Sequence, residues 1–305
     1  MIQKGDNLRI LLTPDGVPAP LQVVAKATNC TLNLQTNTED AAHKDIVGMF
    51  GQPVVVSKNW SISVESLDVT DAATLLAAIK AGMKFKVLFS ETATTNNQTP
   101  VVTSYMHQGL AYINDITFNW NDRELSPKSI QLTGASPLEV VETAPQTVEL
   151  PVSNTFTRGQ FVRLFISSNN TDTPSRVIGA ARQLSLHVST SLENATTKDT
   201  EGDWQIQEPT AVNFDITSSA LVNADETITS EVEGVDLGNL MSYYKAGLPV
   251  KFEIANVSGA NQRTKGTVLV SGSVIIAQLQ VNGPTRQNAD YTTTLNGFGP
   301  YVVGA

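Results

Sequence analysis

The side chains best equipped for catalysis or metal binding are scarce, with three histidines and one cysteine in 305 residues. His43, His107 and His187 lie far apart. None belongs to the H-x-x-x-H or H-E-x-x-H spacing that sets two imidazoles on one helix face around zinc. Cys30 falls on the apolar side of an alternating segment, where a small core residue is expected instead of a thiolate nucleophile. No G-x-S-x-G elbow, phosphate loop or dinucleotide fingerprint occurs; Ser271-Gly272-Ser273 and Gly297-Phe298-Gly299 lack the required strand–turn–helix frame. Asp6, Asp15, Asp71 and Asp172 stand in turn or cap contexts, where carboxylates serve the backbone. Nothing singles out a carboxylate pair for glycoside hydrolysis. The expectation is a non-enzymatic protein with no cofactor and no metal site.

Composition narrows the class. Hydrophobic residues reach 41%, enough for real cores, whereas charged residues stop at 16%. Thr, Asn, Ser, Gln and Val fill the difference, a mixture that suits strands with a hydrated outer face. The formal charge is −9, no basic block exists, and the densest acidic stretch runs from Asp225 to Asp236. Affinity for nucleic acid comes from Lys and Arg neutralising phosphates, so this chain should not grip DNA or RNA. No apolar run reaches membrane-spanning length. Met1–Asp6 lacks the layout of a secretory signal, and the lone cysteine fits a reducing compartment. Six N-x-S/T triplets, at Asn29, Asn59, Asn97, Asn169, Asn194 and Asn256, are expected by chance in so Thr/Asn-rich a chain.

The elements that must position any site come from an internal repeat. At an offset of 154, Leu32 matches Leu186, Lys44-Asp45 matches Lys198-Asp199, and Trp60 and Ile62 match Phe214 and Ile216. An insertion near Asp225–Glu233 moves the offset to 165, pairing Ala81-Gly82 with Ala246-Gly247. A deletion then gives 163, pairing Gly109 with Gly272, Arg123 with Arg286, Gly134 with Gly297 and Pro137 with Pro300. An even offset keeps side-chain parity in a strand. The reading is two tandem copies of one β-rich domain, 1–144 and 154–305, joined by a linker at 145–153.

Each copy follows one plan. A short strand, Asn7 to Leu12, precedes an alternating segment with Thr28, Cys30, Leu32 and Leu34 on one face and Asn29, Thr31, Asn33 and Gln35 on the other. A polar segment from Asn37 to Lys58 leads to a second alternating strand, with Trp60, Ile62 and Val64 inward. One helix, Asp71 to Gly82, is answered by Leu237 to Gly247, each stopped by glycine. A Thr/Asn-rich loop is expected after Ser90. The strand Gly109 to Trp120 then puts Tyr112, Ile116, Phe118 and Trp120 on one face, as its counterpart puts Ile275, Leu279 and Val281. The fold class is mainly β: a sandwich or rolled sheet with one flanking helix per copy.

The segments Gln35–Asp45 and Ser189–Asp199 match closely although both lie between strands, where sequences usually diverge. Either they are ordinary capped hairpin loops, or they dock on a neighbouring subunit. The run ATNCTLNLQTNTEDAAHKD, followed fifteen residues later by WSISVESL, a short helix and an AG-x-K-F-x-V strand, resembles the major tail tube proteins of long-tailed bacteriophages. Thr36, Glu39, Lys44, Asp45, Trp60 and Ile62 carry the pattern; Thr190, Glu193, Lys198, Asp199, Phe214 and Ile216 carry it again. Usual members have one copy, so the fused pair departs from the family.

The resemblance implies a structural virion protein of the phage tail, assembled in the host cytoplasm, whose rings stack into a tube for DNA. Thr36, Glu39, Asp40, Lys44, Asp45, Thr190, Glu193, Lys198 and Asp199 become candidate contacts between subunits or rings. The polar strand faces become candidates for the lumen: Asn29, Thr31, Asn33, Gln35, Ser61, Ser63, Glu65, Gln183, Ser185, His187, Ser189, Asp215 and Thr217. Three fused chains would stand for the six single domains of a ring. Expected partners are further copies, the tape measure, terminator and baseplate or tip proteins, and double-stranded DNA in transit without specific binding; no membrane is implied. The tube of a contractile injection machine has the same construction and stays open, as does a β-rich adhesin or carbohydrate-binding module.

Overall fold

The computed structural model describes residues 8–16, 21–23, 27–41, 51–67, 72–95, 99–141, 148–149, 158–200, 202–222, 234–258 and 264–304. Asp6, His43, Lys44, Asp45, Asp71, the insertion Asp225–Glu233 and most of the linker lie outside them.

The chain is mainly β. Its elements begin with β1 (Leu8–Pro14), β2 (Leu21–Val23), β3 (Ala27–Asp40), β4 (Pro53–Leu67), α1 (Ala72–Lys80) and β5 (Phe85–Thr95). They continue with β6 (Thr99–Asn121), β7 (Pro127–Gly134), β8 (Glu139–Val140) and β9 (Val148–Glu149). Then come β10 (Val162–Ile166), β11 (Arg176–Ile178), β12 (Ala181–Asn194), β13 (Gln207–Leu221) and β14 (Gly234–Val235). The last are α2 (Leu237–Ala246), β15 (Val250–Ser258), β16 (Thr264–Asn282), β17 (Asp290–Gly297) and β18 (Val302–Val303). Neither described helix is long and apolar enough to cross a membrane.

In the first half, β6 belongs to two layers. Its N-terminal part pairs with β5, which pairs with β1 and, through it, β2. Its C-terminal part pairs with β7, followed by β4 and β3. The apolar faces of the two layers meet in one core, where Ile10, Phe85 and Val87 pack with Trp60, Ile62, Ile116, Phe118 and Leu132. Burying those side chains against each other is the main stabilising term for such a rolled sheet. β16 plays the same double part in the second half, with β15 and β10 on one side and β17, β13 and β12 on the other.

The ladders of the two halves share their register. Leu32↔Ile62 and Leu186↔Ile216 stand 154 apart at both positions. Ile113↔Leu132 and Ile276↔Leu295 stand 163 apart at both. Leu11 pairs with Leu88 and Phe165 with Glu253, offsets of 154 and 165. Arg123 and Arg286 both hold a left-handed backbone, at φ 60° and 64°. The short parallel pairings depart from this scheme, β2 taking β9 whereas β11 takes β14.

Three expectations need correction. Asn37 to Lys58 is not a loop throughout: β3 runs on to Asp40 and β4 starts at Pro53, because Thr36, Thr38 and Val54-Val55-Val56 favour extended backbone. The Thr/Asn-rich stretch after Ser90 is likewise mostly strand. Tyr112 and Ile275 do not share the face of Ile116 and Leu279. Register shifts between Ile113 and Asp115, and between Ile276 and Gln278, insert one extra residue in each strand and reverse the parity.

Candidate assembly interface

The site is a sheet face and its edges. β3, β4, β7, the C-terminal part of β6, β12, β13, β17 and the C-terminal part of β16 follow one another by antiparallel pairing. Alternation sends Ile62, Val64, Ile116, Leu186, Ile216 and Leu295 to the core. The opposite face then has to be the polar one. One row across it reads Asn29, Glu65, Ser129, Thr117, His187, Asp215 and Asn296. Another reads Asn119, Ser185, Thr217, Thr294 and Gln278. In these two rows the carboxylates of Glu65 and Asp215 outnumber the one imidazole, His187.

The two halves meet where β6 pairs with β12, from Asp115↔Ser189 to Asn121↔Gln183. On the core side of this seam Ile116, Phe118, Leu186 and Val188 are at most 1% exposed. On the polar side His187 Nε2 lies 2.7 Å from Asp115 Oδ2, and its Nδ1 lies 2.7 Å from Asp215 Oδ1. Neutral imidazole donates from one nitrogen only, so two carboxylates are served together by the imidazolium. Burial works against that charge, but the hydrogen bonds and charges of Asp115 and Asp215 outweigh it and raise the pKa of the ring. With both nitrogens engaged, His187 has none left to act as a base.

Further contacts cross between the halves. The end of the β12–β13 hairpin lies against β4: Lys58 N–H donates to Asp203 O at 2.7 Å and Gln205 N–H to Lys58 O at 3.0 Å. Lys58 Nζ also approaches Asp203 at 3.4 Å, and Gln205 Nε2 donates to Ser57 Oγ. Helix α1 sits against β18, where the Tyr301 hydroxyl donates to the Leu76 carbonyl at 2.7 Å. Burial pushes the Tyr301 pKa up to about 12, so the phenol keeps its proton.

The expected contact residues sit on the outer parts of the long hairpins. Thr36, Glu39 and Asp40 are exposed on β3, and Asp40 Oδ1 accepts from Gln52 N–H. Thr190 is buried in β12, while Glu193, Lys198 and Asp199 are exposed. Thr197 and Thr200 close the turn that carries Lys198 and Asp199. Of the lumen candidates, Asn29, Thr31, Asn33, Gln35, Ser63, Glu65 and Gln183 are exposed; Ser61, Ser185, His187, Ser189, Asp215 and Thr217 are half-buried. Cys30 packs against the core and its thiol donates to Leu8 O; burial raises its pKa.

Asp115 and Tyr301 were beyond sequence reasoning. Asp215 was within reach, because pairing Leu186 with Ile216 in a hairpin places His187 opposite it. Nothing local joins Asp115 to that pair.

No family model and no curated protein matches this chain. Solved structures do. The tail of an empty gene transfer agent particle, refined helically with C6 symmetry, is 12% identical over 48% of this chain and 95% of that one, at a TM-score of 0.35. A chain of the native gene transfer agent virion is 12% identical over 49% and 99%, also at 0.35. The SPP1 tail tube, from solid-state NMR and cryo-electron microscopy, is 16% identical over 48% and 78%, again at 0.35. Each of these tail and virion chains is thus similar to about half of this one.

Proposed function

We propose that this chain is a structural virion protein that polymerises into stacked rings, forming a phage tail tube through which DNA passes. The observation that carries this is the sheet that crosses both halves, polar over most of one face and, among the described residues, unpaired at both ends. Among the described residues β3 pairs only with β4, and β16 beyond Val274 only with β17. Open edges invite further strands, and closing a ring removes them. The amide- and hydroxyl-rich face, acidic apart from His187, then lines the bore and repels phosphate instead of trapping it.

In this reading the two halves are copies of one domain, supported by the ladder registers they share. Three chains close a ring of six quasi-equivalent domains, since the β6–β12 pairing already sets the halves side by side. The linker, at most ~35 Å when extended, permits this. The tape measure, terminator and baseplate or tip proteins contact the tube at its ends and within it, in the phage tail after assembly in the host cytoplasm.

Electron microscopy of concentrated purified protein tests the reading. Stacked rings of three chains are expected. Persistent monomers would refute assembly; six chains per ring, or halves in different rings, would refute the stoichiometry.

A further inference from the structure

We infer that neighbouring chains join by repeating the internal seam: the β16 edge of one chain pairs with the β3 edge of the next, and α2 covers the apolar surface beside Val140 of that next chain. This rests on the tube reading and adds the contact that makes it work.

The strand register comes from the seam already present. Moving Asp115–Asn121 along by 163 gives positions 278–284, and moving Gln183–Ser189 back by 154 gives positions 29–35. Ile116↔Val188 then becomes Leu279↔Leu34, Thr117↔His187 becomes Gln280↔Asn33, and Phe118↔Leu186 becomes Val281↔Leu32. The internal residues are buried, yet Leu34 is 61% and Val281 45% exposed. Apolar side chains sit uncovered on both open edges where this register would bury them.

The helices give an independent reason. Across the internal seam α1 buries Leu76 and Ile79, with the Tyr301 hydroxyl on the Leu76 carbonyl and the Gly82 backbone beside Pro209. The positions 165 further on are Met241 and Tyr244, 44% and 50% exposed, followed by Leu248 at 67%. The receiving residues Tyr301 and Val303 correspond to Leu138 and Val140, and Val140 is 72% exposed. Each chain therefore carries an uncovered donor helix at one end and an uncovered receiving surface at the other. A second copy supplies both complements at once, as a head-to-tail contact requires.

The two seams differ in charge. Asp115, His187 and Asp215 correspond to Gln278, Asn33 and Ser61. The contact between chains is neutral where the internal one holds an ionic bridge.

Directly opposed strand residues fall within disulfide reach. In full-length protein carrying Cys30→Ser, the pair Asn33→Cys and Gln280→Cys should cross-link between chains on mild oxidation. It should do so about tenfold faster than Asn33→Cys with Gln278→Cys, which is two residues out of register. Tyr244→Glu should melt as the parent does but form no tubes. Tubes with no preference between the two cysteine pairs would overturn the register and leave the tube reading intact. Tubes from Tyr244→Glu would overturn the role of α2. Neither cross-links nor tubes from the parent sequence would overturn both readings.

Discussion

His187 is the residue whose surroundings most constrain its chemistry. Its bridge ties β6 of the first half to β12 and β13 of the second, and the groups facing it are Asp115 and Asp215, with uncharged Thr117 and Ser185 nearby. The side chain is a third exposed, so solvent weakens the bridge, and His187→Gln is expected to cost about 1 kcal/mol. The native pKa is raised above the ordinary 6.5. The bridge therefore contributes fully below pH 6.5, and its contribution falls as pH rises through the raised native value. Thermal melts of parent and His187→Gln should differ most on the acid side of neutrality and converge on the alkaline side. A difference that grows with pH would contradict the imidazolium assignment.

At the scale of elements, close backbone approaches fix how strands lie on the aromatic core. A Cβ placed on Gly134 of β7 would sit 2.4 Å from the Trp60 ring, and one on Gly297 of β17 would sit 2.4 Å from Phe214. Trp60 is held in place by its Nε1–H donating to Ser136 O at 2.7 Å. Gly134→Ala is expected to destabilise by about 1–3 kcal/mol, the usual cost of overpacking a dense core. Gly134→Ala should cost less in a Trp60→Leu background than in the parent, in denaturant melts, because the ring that the new methyl group meets is then gone. The outer hairpins behave differently. Trp204 is half-buried where the β12–β13 end meets Lys58. Trp204→Ala should speed amide exchange at Lys58 and Gln205 while leaving the central ladders protected.

For the molecule as a whole, stability of the joined halves is expected to reside in the β6–β12 seam and in α1, not in the connecting segment. The entropy of loop closure rises slowly with length, by about 0.6 kcal/mol per doubling. Inserting a flexible Gly/Ser stretch in the linker beyond β9 should therefore shift the melting temperature little and, in the proposed reading, leave tube assembly intact in electron micrographs. Loss of tubes with unchanged folding would mean that the linker itself sets the geometry of the ring. The net charge of −9 leads to a second expectation. Filter binding at low salt, where electrostatic attraction is strongest, should show no retention of duplex DNA by assembled protein.

What the sequence determined is periodic or local. Alternation of Cys30, Leu32 and Leu34 with Thr31, Asn33 and Gln35 defined a strand and its two faces, because parity depends only on neighbours along the chain. Gly82 and Gly247 marked both helix ends, and they adopt φ 62° and 63°. Offsets of 154, 165 and 163 matched the ladder registers, since a maintained register constrains spacing throughout a strand. Tertiary structure decided the rest. A bulge needs a partner strand to define it, so the reversed faces of Tyr112 and Ile275 could not be read from alternation. The meeting of Asp115 with His187, and of Tyr301 with Leu76, joins residues 72 and 225 positions apart. Such pairs exist only because one half folds against the other; no local pattern encodes a contact whose geometry is set by packing.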